Sequence, residues 1–394
     1  MFENIQLRRG IQTLTSRLYG GHIASSVACL CLIAACGAKT EAPAEPSAAA
    51  TGDALKVGFI YVGPRDDFGY NQAHHEGAMQ LAKLPGVTIV EEERVPEAME
   101  VQKTMESMVK LENAKVLFPT SFGYFDPHIV KVAGKLPEVT FFHCGGLYDS
   151  SKHPGNVGSY FGYIDEAEYI NGIVAAHASK SKKLGFIAAK PIPQVLRNIN
   201  AFTLGARSVN PEITTTVVFT GDWSLPVKEA DAANGLIDQG IDVLTSHVDS
   251  PKVVVQTAEK RGVYSVGYHT SQASLAPKGY LTGAEWNWGK VYTEYVETLR
   301  AGKKWDHLVR GGIKDGFVTN SPYGAAVSAE GKAAADAAKE KLMNDQLVIF
   351  QGELKDNTGK VIIPAGGKMP QREPALESMN YLVEGVIGST GVGS

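Results

Sequence analysis

Cysteine is the first thing this chain is short of. Four occur in 394 residues; Cys29, Cys31 and Cys36 crowd the N-terminus, leaving only Cys144 in the body. A single thiol cannot cross-link internally, so a disulfide-stapled fold is excluded and stability must come from buried cores. Charge of one sign is equally scarce. The 38 Lys and Arg face 42 Asp and Glu, a formal net charge of −4, with no arginine-rich tract. A nucleic-acid role built on phosphate neutralisation is excluded. Beyond residue 36 no run approaches the roughly 18 uninterrupted apolar residues of a membrane helix. Catalytic signatures are missing too: there is no G-x-S-x-G, no H-E-x-x-H and no G-x-x-x-x-G-K-[ST]. Adjacent histidines on a helix point about 100° apart and chelate poorly. His74-His75-Glu76 is therefore expected to be a partly exposed piece of helix, and no metal or cofactor is expected.

What the chain does have begins with an address. Arg8, Arg9 and Arg17 precede an uncharged apolar stretch from Ile23 to Ala35. That is the layout of a secretory signal, too short to span a bilayer. It ends Leu32-Ile33-Ala34-Ala35-Cys36, a bacterial lipobox in which small residues fit the peptidase cleft and the cysteine thiol receives the lipid, palmitate included. Residues 1–35 read as a lipoprotein signal peptide. Their removal leaves 359 residues with 35 basic and 41 acidic side chains, a net charge of −6. Residues 36–55, rich in Ala, Pro, Glu and Ser, read as a flexible tether between lipid and folded body. The protein is expected to be anchored to a membrane, not embedded in it.

From Lys56 onward short apolar runs alternate with helical periodicity. Strands are expected over 56–62, 87–92, 115–119 and 139–143, with helices near 71–83, 99–112 and 125–136. The pattern then restarts, with strands at 184–189, 214–219, 242–246 and 263–268 and helices near 194–208, 227–239 and 251–261. Such alternation implies βαβ units and parallel sheets, an α/β protein of two similar lobes. A strand at 280–284, a helix at 287–301, a strand at 309–319 and a helix at 328–343 follow. A hairpin of 347–351 with 360–363 around Asp356-Asn357 closes the body. The expected partition is 56–160 plus 286–318 for the first lobe and 161–285 plus 319–394 for the second. Ligands of open α/β sheets gather beyond the carboxyl ends of strands, here the space between lobes.

Aromatic and polar side chains cluster at those strand ends. Tyr61 lies near the end of the first strand, and Phe68, Gly69, Tyr70 and Asn71 follow it; Ser121 and Phe122 follow the third. The second half supplies Trp223, then His247 with Asp249, then His269, then Trp286 and Trp288. Flat π-faces with hydroxyls, amides and carboxylates around them suit a planar heteroaromatic or a sugar ring. Closure of two lobes would sandwich it.

Four stretches, KVGFIYVGPRDDFGYNQAHHEGA (56–78), YFGYIDEAEYINGIVAA (160–176), ANGLIDQGIDVLTSHVDSP (233–251) and MNYLVEGVIG (379–388), resemble the basic membrane protein (BMP) family of lipoproteins. The resemblance runs from Lys56 to Gly388. It implies the type I periplasmic-binding-protein fold, two Rossmann-like lobes joined by a three-stranded hinge, and a receptor for purine nucleosides that serves an ABC importer. Phe68, Gly69, Tyr70 and Asn71 match the family's base contacts, Ser121 and Phe122 the loop after the third strand, and Trp223 a stacking aromatic. Two positions depart. Where relatives hold ribose with an aspartate and a lysine, this chain has His269 and, nearby, Trp286. Loss of both sugar grips points to a free purine base such as adenine, guanine, hypoxanthine or xanthine, ahead of a nucleoside. The implied partners are that ligand and an inner-membrane permease, met by a monomer without nucleic acid. The alternative is a ligand-sensing lipoprotein that signals to a membrane receptor.

Overall fold

The structure, a computed structural model, describes residues 54–391. The expected signal peptide, the lipidated Cys36 and nearly all of the tether lie outside the described residues. From Leu55 the chain lays down β1 (Leu55–Ile60), α1 (Tyr70–Leu81), β2 (Val87–Glu92), α2 (Met99–Lys110), β3 (Val116–Pro119), α3 (Val130–Ala133), β4 (Thr140–Cys144) and β5 (Val157–Gly162). A second series follows: α4 (Asp165–Ala178), β6 (Lys183–Ala188), α5 (Pro193–Val209), β7 (Thr214–Phe219), α6 (Pro226–Asp238), β8 (Val243–His247), α7 (Lys252–Arg261), β9 (Tyr264–His269) and β10 (Tyr280–Trp286). The rest is α8 (Trp288–Arg300), β11 (Leu308–Gly311), β12 (Val318–Asn320), α9 (Ala329–Met343), the hairpin β13 (Phe350–Lys355) and β14 (Val361–Met369), and β15 (Val386–Ile387).

Two sheets organise these elements. The first has the order β11-β5-β4-β3-β1-β2 and is parallel throughout. The second has the order β12-β10-β9-β8-β6-β7-β15, parallel except for β12. Strands covered on both faces read as continuous apolar runs, and Phe59, Phe118 and Phe142 stack across the first sheet at 4.9 and 5.2 Å. The chain passes between sheets three times, at 162–165, 286–288 and 311–318. The strand expected over 309–319 is thus two strands, one in each sheet, broken by a turn after Gly311. Within each sheet the strand order reverses once, between β1 and β3 and between β6 and β8, the switch points beside which doubly wound sheets bind ligands.

Three elements have no counterpart in the pattern expected from the sequence, β5, α4 and the two-residue β15. Ten of the fourteen residues of α4 are buried, so it shows no polar stripe to betray its period. It packs against α5 at backbone distance: a Cβ on Gly172 would lie 2.0 Å from the Phe202 carbonyl oxygen, and one on Gly205 2.0 Å from that of Tyr169. Among the described residues no helix is long and apolar enough to cross a membrane. Cys144 is a buried free thiol.

The start of α4 carries carboxyls that titrate late. Burial, with Asp165 nearby, raises Glu168 to about 8 and Glu166 to about 7, although Ile313 N–H donates to Glu166 at 2.7 Å. In the unfolded chain both would titrate near 4.5. The folded state therefore holds more protons than the unfolded state in between, and stability falls as pH rises through that window. Burial holds His143 near 4 and His247 near 3, which acts in the opposite direction but only below 6.5. The melting temperature is expected to drop between pH 6.5 and 8, and Glu168→Gln to flatten that drop. A thermal-unfolding series that stays level across the window in the wild type would refute this.

Candidate functional site

Ten strands point their carboxyl ends into one cavity of about 280 Å³ between the sheets. Val62 and Tyr70 come from beyond β1, Glu97 from beyond β2, Ser121 and Phe122 from beyond β3, Cys144 from the end of β4 and Phe161 from β5. The second lobe answers with Ile192 and Gln194, with Asp222, Trp223 and Ser224, with His247 and Asp249, with His269 and with Trp286. Aromatic rings thus face the space from both sides. Its size is at the lower end of ligand pockets, which run from roughly 300 Å³.

The loop into α1 is shaped by Asp67. Its carboxylate accepts from the backbone N–H groups of Gly69, Asn71 and Gln72 at 2.8–3.0 Å, satisfying the orphan donors of the helix start. Tyr70 then opens the helix with its ring toward the cavity and its hydroxyl donating to the Thr120 carbonyl at 2.6 Å. The same loop meets the opposite lobe. Tyr70 N–H donates to the Asp249 carbonyl at 2.8 Å, Ser250 Oγ to the Asp67 carbonyl at 2.5 Å and Gln272 Nε2 to the Phe68 carbonyl at 2.7 Å. Thr270 Oγ1 donates to Glu76 at 2.8 Å.

On the far wall His269 adopts left-handed backbone, φ 75°. Its Nδ1 accepts the Trp286 indole N–H at 2.9 Å, so Nε2 carries the proton and donates to the Val248 carbonyl at 3.1 Å. Desolvation pushes this ring well below the usual histidine range, and His247 likewise, so both are neutral. His247 Nδ1 accepts from Asn198 Nδ2 at 3.0 Å, leaving its Nε2–H to the Tyr268 hydroxyl at 3.2 Å. Trp223 is half-buried at the mouth. Lys190 Nζ stands 5.7 Å above its ring and pairs with Asp222 at 2.8 Å. Asp249 is different: burial first, then the carboxylates of Asp67, Glu97, Asp222 and Glu229, push its carboxyl well above the usual range.

Of the residues expected from the sequence, Tyr70, Ser121, Phe122, Trp223, His247, Asp249, His269 and Trp286 share this cavity. Five do not line it. Tyr61 is buried in the first lobe with its hydroxyl on Glu91 at 2.8 Å, because strand alternation gives the cavity to Val62 instead. Phe68 lies beneath Lys252, 5.2 Å from its ring, and contributes only its carbonyl across the lobes. Gly69 meets the Asp249 backbone, and the Asn71 amide donates to Asp67 at 2.8 Å and accepts from Gly63 N–H at 3.1 Å. Trp288 is fully buried, stacked on His74 at 5.4 Å and Trp286 at 4.5 Å. His74, expected at a partly exposed position, is itself buried there with Nδ1 2.5 Å from the Tyr292 hydroxyl. Glu97, Phe161 and Gln194 were missed: nothing in their local sequence marks them, and Phe161 belongs to the unread strand β5.

Residues 54–355 match the family profile Bmp, described as ABC transporter substrate-binding protein PnrA-like. The chain is 35% identical over 334 residues to a purine-binding protein of Brucella abortus, covering 84% of this chain and 93% of that one. It is 30% identical over 337 residues to a putative ABC transporter glucose-binding protein of Haloferax volcanii, covering 86% and 81%. An ABC transporter solute-binding protein from Conexibacter woesei, solved as a structure, superposes with a TM-score of 0.63 at 22% identity, over 75% of this chain and 98% of that one. That likeness speaks for the fold. With two doubly wound lobes, a cavity at their strand ends and this match over most of its length, the chain belongs to the Bmp family of ABC-transporter substrate-binding proteins, exported receptors and not enzymes.

Proposed function

We propose that this receptor binds a free purine base in preference to a nucleoside, between aromatic faces of the two lobes, and presents its closed form to an ABC permease while a lipid on Cys36 keeps it at the membrane. The observation that carries the reading is the His269–Trp286 pair. Both ring nitrogens of His269 are spent, one on the Trp286 indole and one on the Val248 carbonyl. Where the resemblance places sugar grips, His269 and Trp286 then offer no free acceptor and no cation, and an indole lies there. The Brucella abortus relative's description as purine-binding supports the same class of ligand.

Closure serves as a switch because ligand touching both lobes binds the closed state better than the open one. Calorimetry with adenine, guanine, hypoxanthine, xanthine, their nucleosides and glucose tests the reading. Bases are expected to bind and nucleosides to bind at least about 10-fold more weakly, a gap of roughly 1.4 kcal/mol. Trp223→Ala should weaken the bound base by about 10-fold, as loss of a stacked aromatic does. Binding of nucleosides alone would overturn the base preference, and binding of glucose alone the purine assignment.

A further inference from the structure

The hydrogen-bonding groups of the cavity are not evenly satisfied. Its inner donors are committed to the protein: the Tyr70 hydroxyl to Thr120, the Ser121 hydroxyl to Glu97, the Trp286 indole to His269 and the His269 Nε2–H to Val248. Among the described residues no lysine or arginine lines the cavity. Since Glu97 accepts from Ser121 and Gly123 and Asp222 pairs with Lys190, Asp249 stands apart among the charged groups of the cavity. Its backbone is pinned on both sides, N–H donating to the Trp223 carbonyl at 2.8 Å and carbonyl accepting from Tyr70 N–H at 2.8 Å. The residue is therefore held at the junction of the lobes, its backbone tied to two aromatic residues of the cavity that it lines. Yet the carboxyl has no hydrogen-bond or ion-pair partner among the described residues, and its charged neighbours are carboxylates. A half-buried carboxyl set among other carboxylates, with no donor of its own, can be met by donors that a ligand brings.

Resting on the purine reading above, we infer that Asp249 is the specificity-determining residue, its carboxylate accepting two parallel hydrogen bonds from the edge of a guanine-type base. Burial and neighbouring carboxylates favour the neutral Asp249 carboxyl, and two donors from the base stabilise the ionised form, which presents two acceptor oxygens and pairs best with two adjacent donors. On the six-membered ring of the common purines only guanine offers such a pair, N1–H beside the 2-amino group. Adenine sets its amine beside ring acceptors. Hypoxanthine lacks the amine, and xanthine has a carbonyl at C2 that would face the carboxylate oxygen. Removing a donor from a site built around an acceptor leaves a buried polar group unpaired, the strongest form of discrimination such a site has.

Asp249→Asn tests this, since the amide keeps the shape but offers one acceptor and one donor, the complement of xanthine's N1–H and C2 carbonyl. By calorimetry the wild type should bind guanine at least about 10-fold more tightly than adenine, hypoxanthine or xanthine, within the range of a bidentate base contact. The variant should lose at least about 10-fold for guanine and gain for xanthine, reversing their order. Circular dichroism of the variant confirms that it folds, and Asp249→Ala, which should lose guanine without gaining xanthine, separates pairing from packing. A wild type that prefers another purine, or an unchanged guanine-to-xanthine ratio in Asp249→Asn, overturns the assignment while leaving the purine reading in place. Binding of no purine at all overturns both.

Discussion

Gly69→Ala is expected to weaken ligand binding by about 100-fold, roughly 2.7 kcal/mol, while the unliganded protein melts almost as the wild type does. The backbone at Gly69, φ −157° and ψ −128°, lies outside the left-handed region. The obstacle lies across the lobes. A Cβ would sit 1.9 Å from the Asp249 carbonyl oxygen and 2.8 Å from Pro251 Cδ, and neither a carbonyl nor a proline ring is free to swing aside. The lobes must part, and with them go the bonds from Tyr70 N–H, Ser250 and Gln272 that join loop 67–70 to its opposite. Three such bonds at about 1 kcal/mol each account for the loss. Calorimetry gives the affinity, and small-angle scattering of the variant at saturating ligand should show a form wider than the liganded wild type. Wild-type affinity in Gly69→Ala would mean that this contact plays no part in closure.

The second large effect concerns stability. Trp288→Ala should cost about 3–5 kcal/mol, the range for deleting a fully buried aromatic. The indole is wholly enclosed, parallel to the His74 ring within 1° and edge-on to Tyr160 at 5.2 Å, where α1 and α8 meet beneath the first sheet. Its loss leaves an indole-sized void and removes the floor under Trp286, so ligand affinity should fall as well. Trp288→Phe should recover part of the stability. Urea unfolding followed by circular dichroism measures both, and a Trp288→Ala midpoint equal to that of the wild type would exclude a core role.

Gly69 and Trp288 show where local reading stops. Both sit in stretches whose aromatics and turn residues mark a strand end near a ligand, and both turn out to serve the packing of that region. Neighbouring residues of a strand or a new helix face different ways, so the step from Tyr61 to Val62, or from Trp286 to Trp288, decides between core and cavity. The point at which β10 ends and α8 begins sets that parity. Glu97 and Gln194 were invisible for another reason: one comes from a loop and the other from the first turn of α5, and the place of both in space depends on elements far along the chain.

By itself the sequence determined the alternation of strand and helix, the two-lobed α/β plan and the concentration of aromatic residues beyond strand ends. These follow from periodicity and composition, which are local properties. Only the tertiary structure decided that one strand was two, that α4 and β5 exist, that His269 has no nitrogen left to offer, and that Asp249, its backbone tied to Tyr70 and Trp223, has no partner for its carboxyl among the described residues. A donor or acceptor is free or spent according to what other segments bring within 3 Å of it, and that is a property of packing.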